Sequence, residues 1–344
     1  MASELSPEDA LRLNVLLSQE IQAVRLDESS LVLHALTDKG EASLTLHPTG
    51  RTDRYLRQVR EVLSGHALGS PGGYPVFLSR WTRHGQMESA SLGKLLLIGE
   101  PEALVAVVHS PALTDELARR AWWVMPTIEH ARLMLLRQAV AQGSMGKILA
   151  DFLIEHLPFL QDDHQTIMDT VLVLLASGAL DAEQRLAVWR RGKRQNSYYV
   201  AFLEHDADNL PMPLPSHPLL PAEIAGTVSA GWQRPFTGQG QAFISACLGV
   251  LERPETQEVV SRTLAALGQY FAQVANALTS AGVVDGGALP AEARAALHRL
   301  ASVSAESVAP IFARTTAIGS LMRQRIEPVT ATIRDDLRTL IESR

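Results

Sequence analysis

Residues 255–281 read ETQEVVSRTLAALGQYFAQVANALTSA, and the spacing of their apolar side chains decides the fold class. Val260, Leu264, Leu267, Phe271, Val274 and Leu278 step by alternating fours and threes, which lines them up as a coiled-coil-like seam along one helix face. A second seam runs through 305–342, at Ile326, Val329, Ile333, Leu337 and Leu340. There Pro328 is expected to kink or restart the helix. GVVDGGALP leads from the first run into a short helix over 290–301. Together these segments predict a C-terminal antiparallel helical bundle.

Working outward, the same kind of helix start recurs. SPEDALRL from Ser6, EPEALVAV from Glu100, LPAEIAG from Leu220, RPETQEVV from Arg253 and LPAEARAAL from Leu289 all place proline where an N–H has no helical partner. An acidic residue then meets the helix dipole in the first turn. LDAEQRLAVW from Leu180 follows the pattern without proline. The starts keep no fixed period, so a strict repeat array is not indicated. From Val76 to about His205 the chain reads as helices, broken at Gly85, Gly99, Pro111, Pro126, Gly143, Pro158, Gly178 and Gly192.

The exception is 20–48, EIQAVRLDESSLVLHALTDKGEASLTLHP, where apolar and polar residues alternate around turn-like DES and DKG. That pattern predicts a small antiparallel β meander. A helix follows with Tyr55, Leu56, Val59 and Leu63 on one face, expected to end at Gly65. The fold class is therefore mainly α and multi-helical, with a small N-terminal meander and a C-terminal bundle. Residues 206–221, DADNLPMPLPSHPLLP, carry five prolines and cannot be helical. They are the expected linker between a domain over 1–205 and a bundle over 222–344.

Composition narrows the function classes. Apolar residues are 46% and charged residues 20% of 344, enough for a sizeable core. The net charge of −6 argues against wholesale nucleic-acid binding and leaves room only for a local basic patch. Cys247, the one cysteine, lies in AFISACLGVL and reads as a small buried hydrophobe. The start MASELSPEDALRL lacks a basic-then-apolar leader, and no run is long and apolar enough to span a bilayer. A cytoplasmic protein without cofactor or metal is expected.

The nucleotide-binding, metalloprotease and nucleophile-elbow motifs are absent. EHLPFLQDDH at 155–164, with His156, Asp162, Asp163 and His164, reads better as an acidic helix start than as a metal site. The His-Asp pair in EHDAD, 204–208, has no identifiable partners for metal-dependent hydrolysis. A Ser/His/Asp set converges only in space and stays open here.

The strongest polar concentration is WRRGKRQNSYYVAFL, 189–203. Arg190, Arg191, Lys193 and Arg194 surround Gly192, and Tyr198 and Tyr199 follow. Clustered cations with aromatic rings suit single-stranded RNA, another anion or a partner surface. The same residues also suit a helix C-terminus followed by a helix with a buried aromatic face. A second candidate is HALGSPGGYPVFLSRWTRHGQ, 66–86, where Arg80, Trp81, Arg83 and His84 follow a glycine-rich turn. A helix precedes that turn, which weakens a phosphate-loop reading. Tandem Trp122 and Trp123 point to a helix with neighbours on two sides, or else to an exposed anchor.

Several strings resemble one family. They are LGSPGGYPVFLSRWTRHGQM, the run from LLIGEPEALVAVVHS to FLIEHLPF, ALTDKGEA, and GKRQNSYYVAFLEHDADNLP. Across residues 5–210 the chain resembles the DsrS family, soluble proteins associated with the dissimilatory sulfite reductase system of sulfur-oxidising bacteria. The resemblance implies a cytoplasmic accessory role in sulfur oxidation, regulatory at the level of protein expression, with no catalytic residue to carry over. The resulting expectation is a non-enzymatic protein that binds RNA or a protein of that system. Two alternatives stand beside it: an enzyme or small-molecule binder with an interdomain cleft, and a helical scaffold for protein–protein interaction. The oligomeric state is not legible in the sequence.

Overall fold

The computed structural model describes residues 5–69, 89–218, 232–280 and 289–341. They are mainly helical, with one three-stranded sheet. Contacts divide the chain into two units, Met1–Leu153 and Ile154–Arg344. That division falls elsewhere than the expected linker at 206–221. Residues 206–218 belong to the second unit, where Leu214 N–H donates to the Gly238 carbonyl at 3.0 Å and His217 N–H to the Phe236 carbonyl at 2.9 Å. The prolines keep this stretch out of a helix without separating it from its neighbours.

In the first unit, Ser6 caps α1 (Pro7–Leu17) by accepting from Asp9 N–H at 3.0 Å. The meander follows as β1 (Ile21–Asp27), β2 (Val32–Thr37) and β3 (Gly40–Thr45), in the order β1-β2-β3. Its register pairs Leu26 with Leu33 and Ala35 with Ala42. One sheet face places Val24, Leu33 and Leu44 in a core with Leu13, Leu16 and Leu17 of α1 and with Tyr55, Val59 and Leu63 of α2 (Thr52–Leu68). The alternation in the sequence is the physical cause, because successive strand residues point to opposite faces. Helix α2 runs one turn beyond the expected stop at Gly65. It closes at Gly69, whose φ of 66° is the left-handed cap conformation.

One carboxylate ties these elements together. Asp9, 1% exposed, accepts from the Tyr55 hydroxyl at 2.5 Å and from His47 N–H at 3.0 Å. His47 Nδ1 lies 3.3 Å from its other oxygen, and Arg12 Nη1 lies 3.7 Å away. The acid expected only to meet the helix dipole therefore joins α1, α2 and the segment that follows β3.

The unit continues through α3 (Ser89–Leu95), α4 (Pro101–His109), α5 (Asp115–Val124), α6 (Ile128–Leu135), short α7 (Gln138–Ala141) and α8 (Ser144–His156). The division between units falls within α8. The tandem tryptophans are both half-buried, on two different neighbours. Trp122 meets Phe152 edge-on at 4.7 Å, while Trp123 donates to Glu41 at 3.2 Å under the Arg25 guanidinium. The two-neighbour expectation for this helix is met.

The second unit holds α9 (His164–Ser177), α10 (Ala182–Arg191), α11 (Ser197–His205), α12 (Gly238–Glu252), α13 (Gln257–Ser280), α14 (Ala291–Ala301), α15 (Ala309–Phe312) and α16 (Gly319–Thr339). Helices α12, α13, α14 and α16 pack on one another. Val260, Leu264, Leu267, Phe271 and Val274 are fully buried, as the seam predicts, and Leu278 falls outside the residues with described side chains. In α16 the helix passes through Pro328 without a break, and Thr330 turns inward while Val329 is only half-buried. Helix α13 starts later than RPETQEVV suggests. Thr256 accepts from Val259 N–H at 3.3 Å, which leaves Glu255 ahead of the helix and free to point elsewhere.

Candidate functional site

The basic stretch 189–196 forms the turn between α10 and α11. Asp181 opens α10 with a reciprocal capping box to Gln184. Basic residues close it, where the carbonyl end of the dipole favours cations. The carbonyls of Trp189, Arg190 and Arg191 accept from the amides of Gly192, Lys193 and Arg194 at 3.0, 3.3 and 3.0 Å, which rolls the chain into a tight turn. Gly192 is needed for space, since its backbone is ordinary helical (φ −56°). A Cβ there would meet the Tyr199 ring at 2.4 Å.

The structure splits the predicted site residues into two groups. Tyr198 is 3% exposed and Tyr199 half-buried, its ring 4.4 Å from that of Trp189. Burial pushes both phenols up from their ordinary range. Arg191 is committed too, donating to the Ile154 carbonyl at 3.2 Å and lying 6.0 Å over the Tyr198 ring. These three build the core. Arg190, Lys193 and Arg194 are exposed, and their side chains make no hydrogen bond or ion pair with the described residues. Arg80, Trp81, Arg83 and His84 lie outside the described residues.

The turn is anchored on two sides. Gln195 Nε2 donates to the Gln161 carbonyl at 2.6 Å, and Gln161 itself has the unusual φ of 36°. On the other side, Asn196 N–H donates to Glu255 Oε1 at 2.7 Å and Asn196 Nδ2 to the Arg253 carbonyl at 2.9 Å. Two residues before Gln161, Phe159 ends a short 3₁₀ turn with its ring 78% exposed. Sequence reading missed Phe159. The signal was an apolar residue after Pro158 in a polar connection, quoted there only for its histidines and aspartates.

The neighbouring candidates resolve into structure. Asp163 caps α9, accepting from Thr166 N–H at 3.0 Å. Among the described residues no His, Cys, Asp or Glu cluster is arranged to hold a metal. His164 Nδ1 and Ser197 Oγ are 2.7 Å apart, the spacing of a base and a nucleophile, yet Ser197 is wholly buried. In EHDAD each carboxylate meets an arginine: Glu204 takes Arg262, Asp206 takes Arg185, and Asp208 takes Arg234 at 2.6 and 2.7 Å. A polar cleft of about 280 Å³ lies beside them, between 203–208 and the Ala266–Gln273 stretch of α13. Cys247 is fully buried and its thiol pushed up by that burial.

No protein-family model, curated protein or solved structure matches the chain. No helix among the described residues is long and apolar enough to cross a membrane.

Proposed function

We propose that this chain is a non-enzymatic accessory protein that binds an acidic protein partner through Arg190, Lys193, Arg194 and Phe159. One observation carries the reading. Three exposed cations crowd one anchored turn with no carboxylate of the described residues paired to them, whereas Arg185, Arg234, Arg262 and Arg299 of the same unit each meet a carboxylate. An exposed aromatic ring on the segment that the turn grips adds an apolar anchor of the kind that concentrates binding energy. Complementary charge then supplies orientation and association rate.

A protein partner is favoured over RNA because the tyrosines that would stack on bases are packed against Trp189 and under Arg191. The net charge of −6 points the same way. The resemblance to the DsrS family gives this role its proposed setting, cytoplasmic and alongside bacterial sulfur oxidation.

The test is fluorescence anisotropy of two labelled probes, poly-L-aspartate and oligouridylate, with wild type and the triple alanine variant at Arg190, Lys193 and Arg194. Wild type is expected to bind poly-L-aspartate, and the variant to lose about tenfold in affinity with a shallower salt dependence. Preference for oligouridylate would overturn the protein-partner reading in favour of RNA. Equal behaviour of variant and wild type would make the turn a solvated surface.

A further inference from the structure

The cationic turn is held from beneath by a small polar cluster in which one member is only half satisfied. Glu255 Oε1 receives the Asn196 amide at 2.7 Å, and the Asn196 side chain reaches the Arg253 carbonyl at 2.9 Å. The turn and the segment before α13 are thus joined at two points. Next to them, buried Ser197 shares a 2.7 Å hydrogen bond with His164 Nδ1, and Gln195 Nε2 lies 3.4 Å from the same ring nitrogen. Glu255 Oε2 is different. It is buried and has no hydrogen-bond partner among the described residues.

That geometry makes the carboxyl responsive to protons. Ionised, it grips Asn196 through a charge-assisted bond but strands Oε2 without a donor. Protonated, it relieves the buried charge, and the bond to Asn196 falls to the strength of a neutral one. Burial raises this carboxyl from the ordinary glutamate range, and the Asn196 amide and the charge of His164 offset that only in part. The titratable side chain acting on it from α9 is His164. From α16 the half-buried Arg323 donates to the neighbouring Pro254 carbonyl at 3.5 Å, while Arg194 and Lys193 on the turn and Arg253 on its own segment are exposed.

We propose that Glu255 is a proton-operated staple, holding the 190–196 turn firmly when ionised and loosely when protonated, and so making the cationic face sensitive to acid. The staple is read from the hydrogen bonds; only its consequence for binding rests on the function proposed above. Glu255 is a positioning residue, since it reaches the face only through Asn196.

The first readout needs no partner. Hydrogen exchange of the Asn196 amide, followed by NMR in the full chain and expressed as a protection factor, separates the bond from the intrinsic pH dependence of exchange. Wild type is expected to lose about fivefold in protection as pH falls through the raised carboxyl, because charge-assisted bonds are about twice as strong as neutral ones. Glu255→Gln keeps the volume and the Oε1 acceptor, and its protection factor is expected to stay flat. A flat wild-type course overturns the staple. So does a Glu255→Gln variant that follows the wild-type course, which would show that another group governs the bond.

The second readout is binding of dextran sulfate, a polyanion whose own charge does not change over this range. Acidification protonates histidines and carboxylates and strengthens polyanion binding in both proteins, and wild type is expected to gain several-fold less than Glu255→Gln. Wild type that binds no dextran sulfate at any pH would overturn the cationic-face reading and leave the exchange data to judge the staple. Equal gains in wild type and Glu255→Gln while Asn196 protection follows pH in wild type would overturn the coupling to the face.

Discussion

Asp9 in the first unit and Glu255 in the second are both carboxylates withdrawn from water, and they shift in opposite directions. Burial acts to raise both. At Asp9 the Tyr55 hydroxyl, the His47 amide and the His47 ring overcome it, and the carboxyl is held below the ordinary aspartate range. At Glu255 the Asn196 amide bonds one oxygen, the second has no hydrogen-bond partner among the described residues, and the help of Asn196, of its own backbone amide and of His164 leaves the carboxyl raised. Donors and burial together decide the sign, and Asp9 has the larger set of donors. A saturated carboxylate serves as a fixed joint. A half-saturated one answers to pH.

The largest effect expected from breaking this contrast is at the saturated end. Asp9→Ala strands the fully buried Tyr55 hydroxyl and the His47 amide together, and parts α1 from α2 and the segment that follows β3. A loss of about 3 kcal/mol is expected in urea unfolding at neutral pH, in the range for removing one side of a buried, hydrogen-bonded charge. A loss under about 1 kcal/mol would show that water replaces the donors freely, and Asp9 would no longer count as a fixed joint.

Tyr55→Phe is the gentler version. It removes the 2.5 Å bond alone and is expected to cost about 2 kcal/mol at neutral pH. The pH course has a definite sign. Because the folded carboxyl lies below the unfolded value of about 3.9, the unfolded chain takes the proton first. The stabilisation is therefore complete above that value and is lost as pH falls through the lowered one. Without the tyrosine hydroxyl the folded carboxyl rises toward the unfolded value, so the acid decline of Tm should be smaller in the variant and should end at higher pH. Superimposable declines would mean that the His47 amide and ring carry the shift.

Neither carboxylate could have been assigned its role from sequence, and the reason is physical. Periodicity and caps are local, so the seam at Val260–Val274, the presence of the meander and the proline-led starts of α1 and α4 were all legible. Asp9 and Glu255 both looked like first-turn acids. Their working partners lie 46 and 59 positions away, and only the packed fold brings them together. The same limit explains the basic turn. That Arg190, Lys193 and Arg194 belong together is visible in the string; that Arg191, Tyr198 and Tyr199 turn inward depends on Trp189 and Ile154 already being placed. Phe159 shows the converse, an apolar residue whose exposure only the fold reveals.

The smallest expected effect is also the sharpest test of the contrast, because its sign is reversed. Glu255 holds its proton more tightly folded than unfolded, so its contribution is fully present below about 4.3, the ordinary glutamate value. It is lost as pH rises through the raised one. Glutamine is neutral throughout. At neutral pH Glu255→Gln should therefore have a higher Tm than wild type, with the gap closing on acidification, opposite in slope to the Asp9 decline. A Gln variant less stable at neutral pH would mean that Oε2 does receive a donor, and the two carboxylates would be alike. The opposed effects at Glu255 are compatible, because ionisation tightens one bond to Asn196 while stranding the other oxygen. The turn is then held harder inside a slightly less stable fold. Stability given up at one such group is what a fold shaped for binding tolerates and one shaped for stability alone would not.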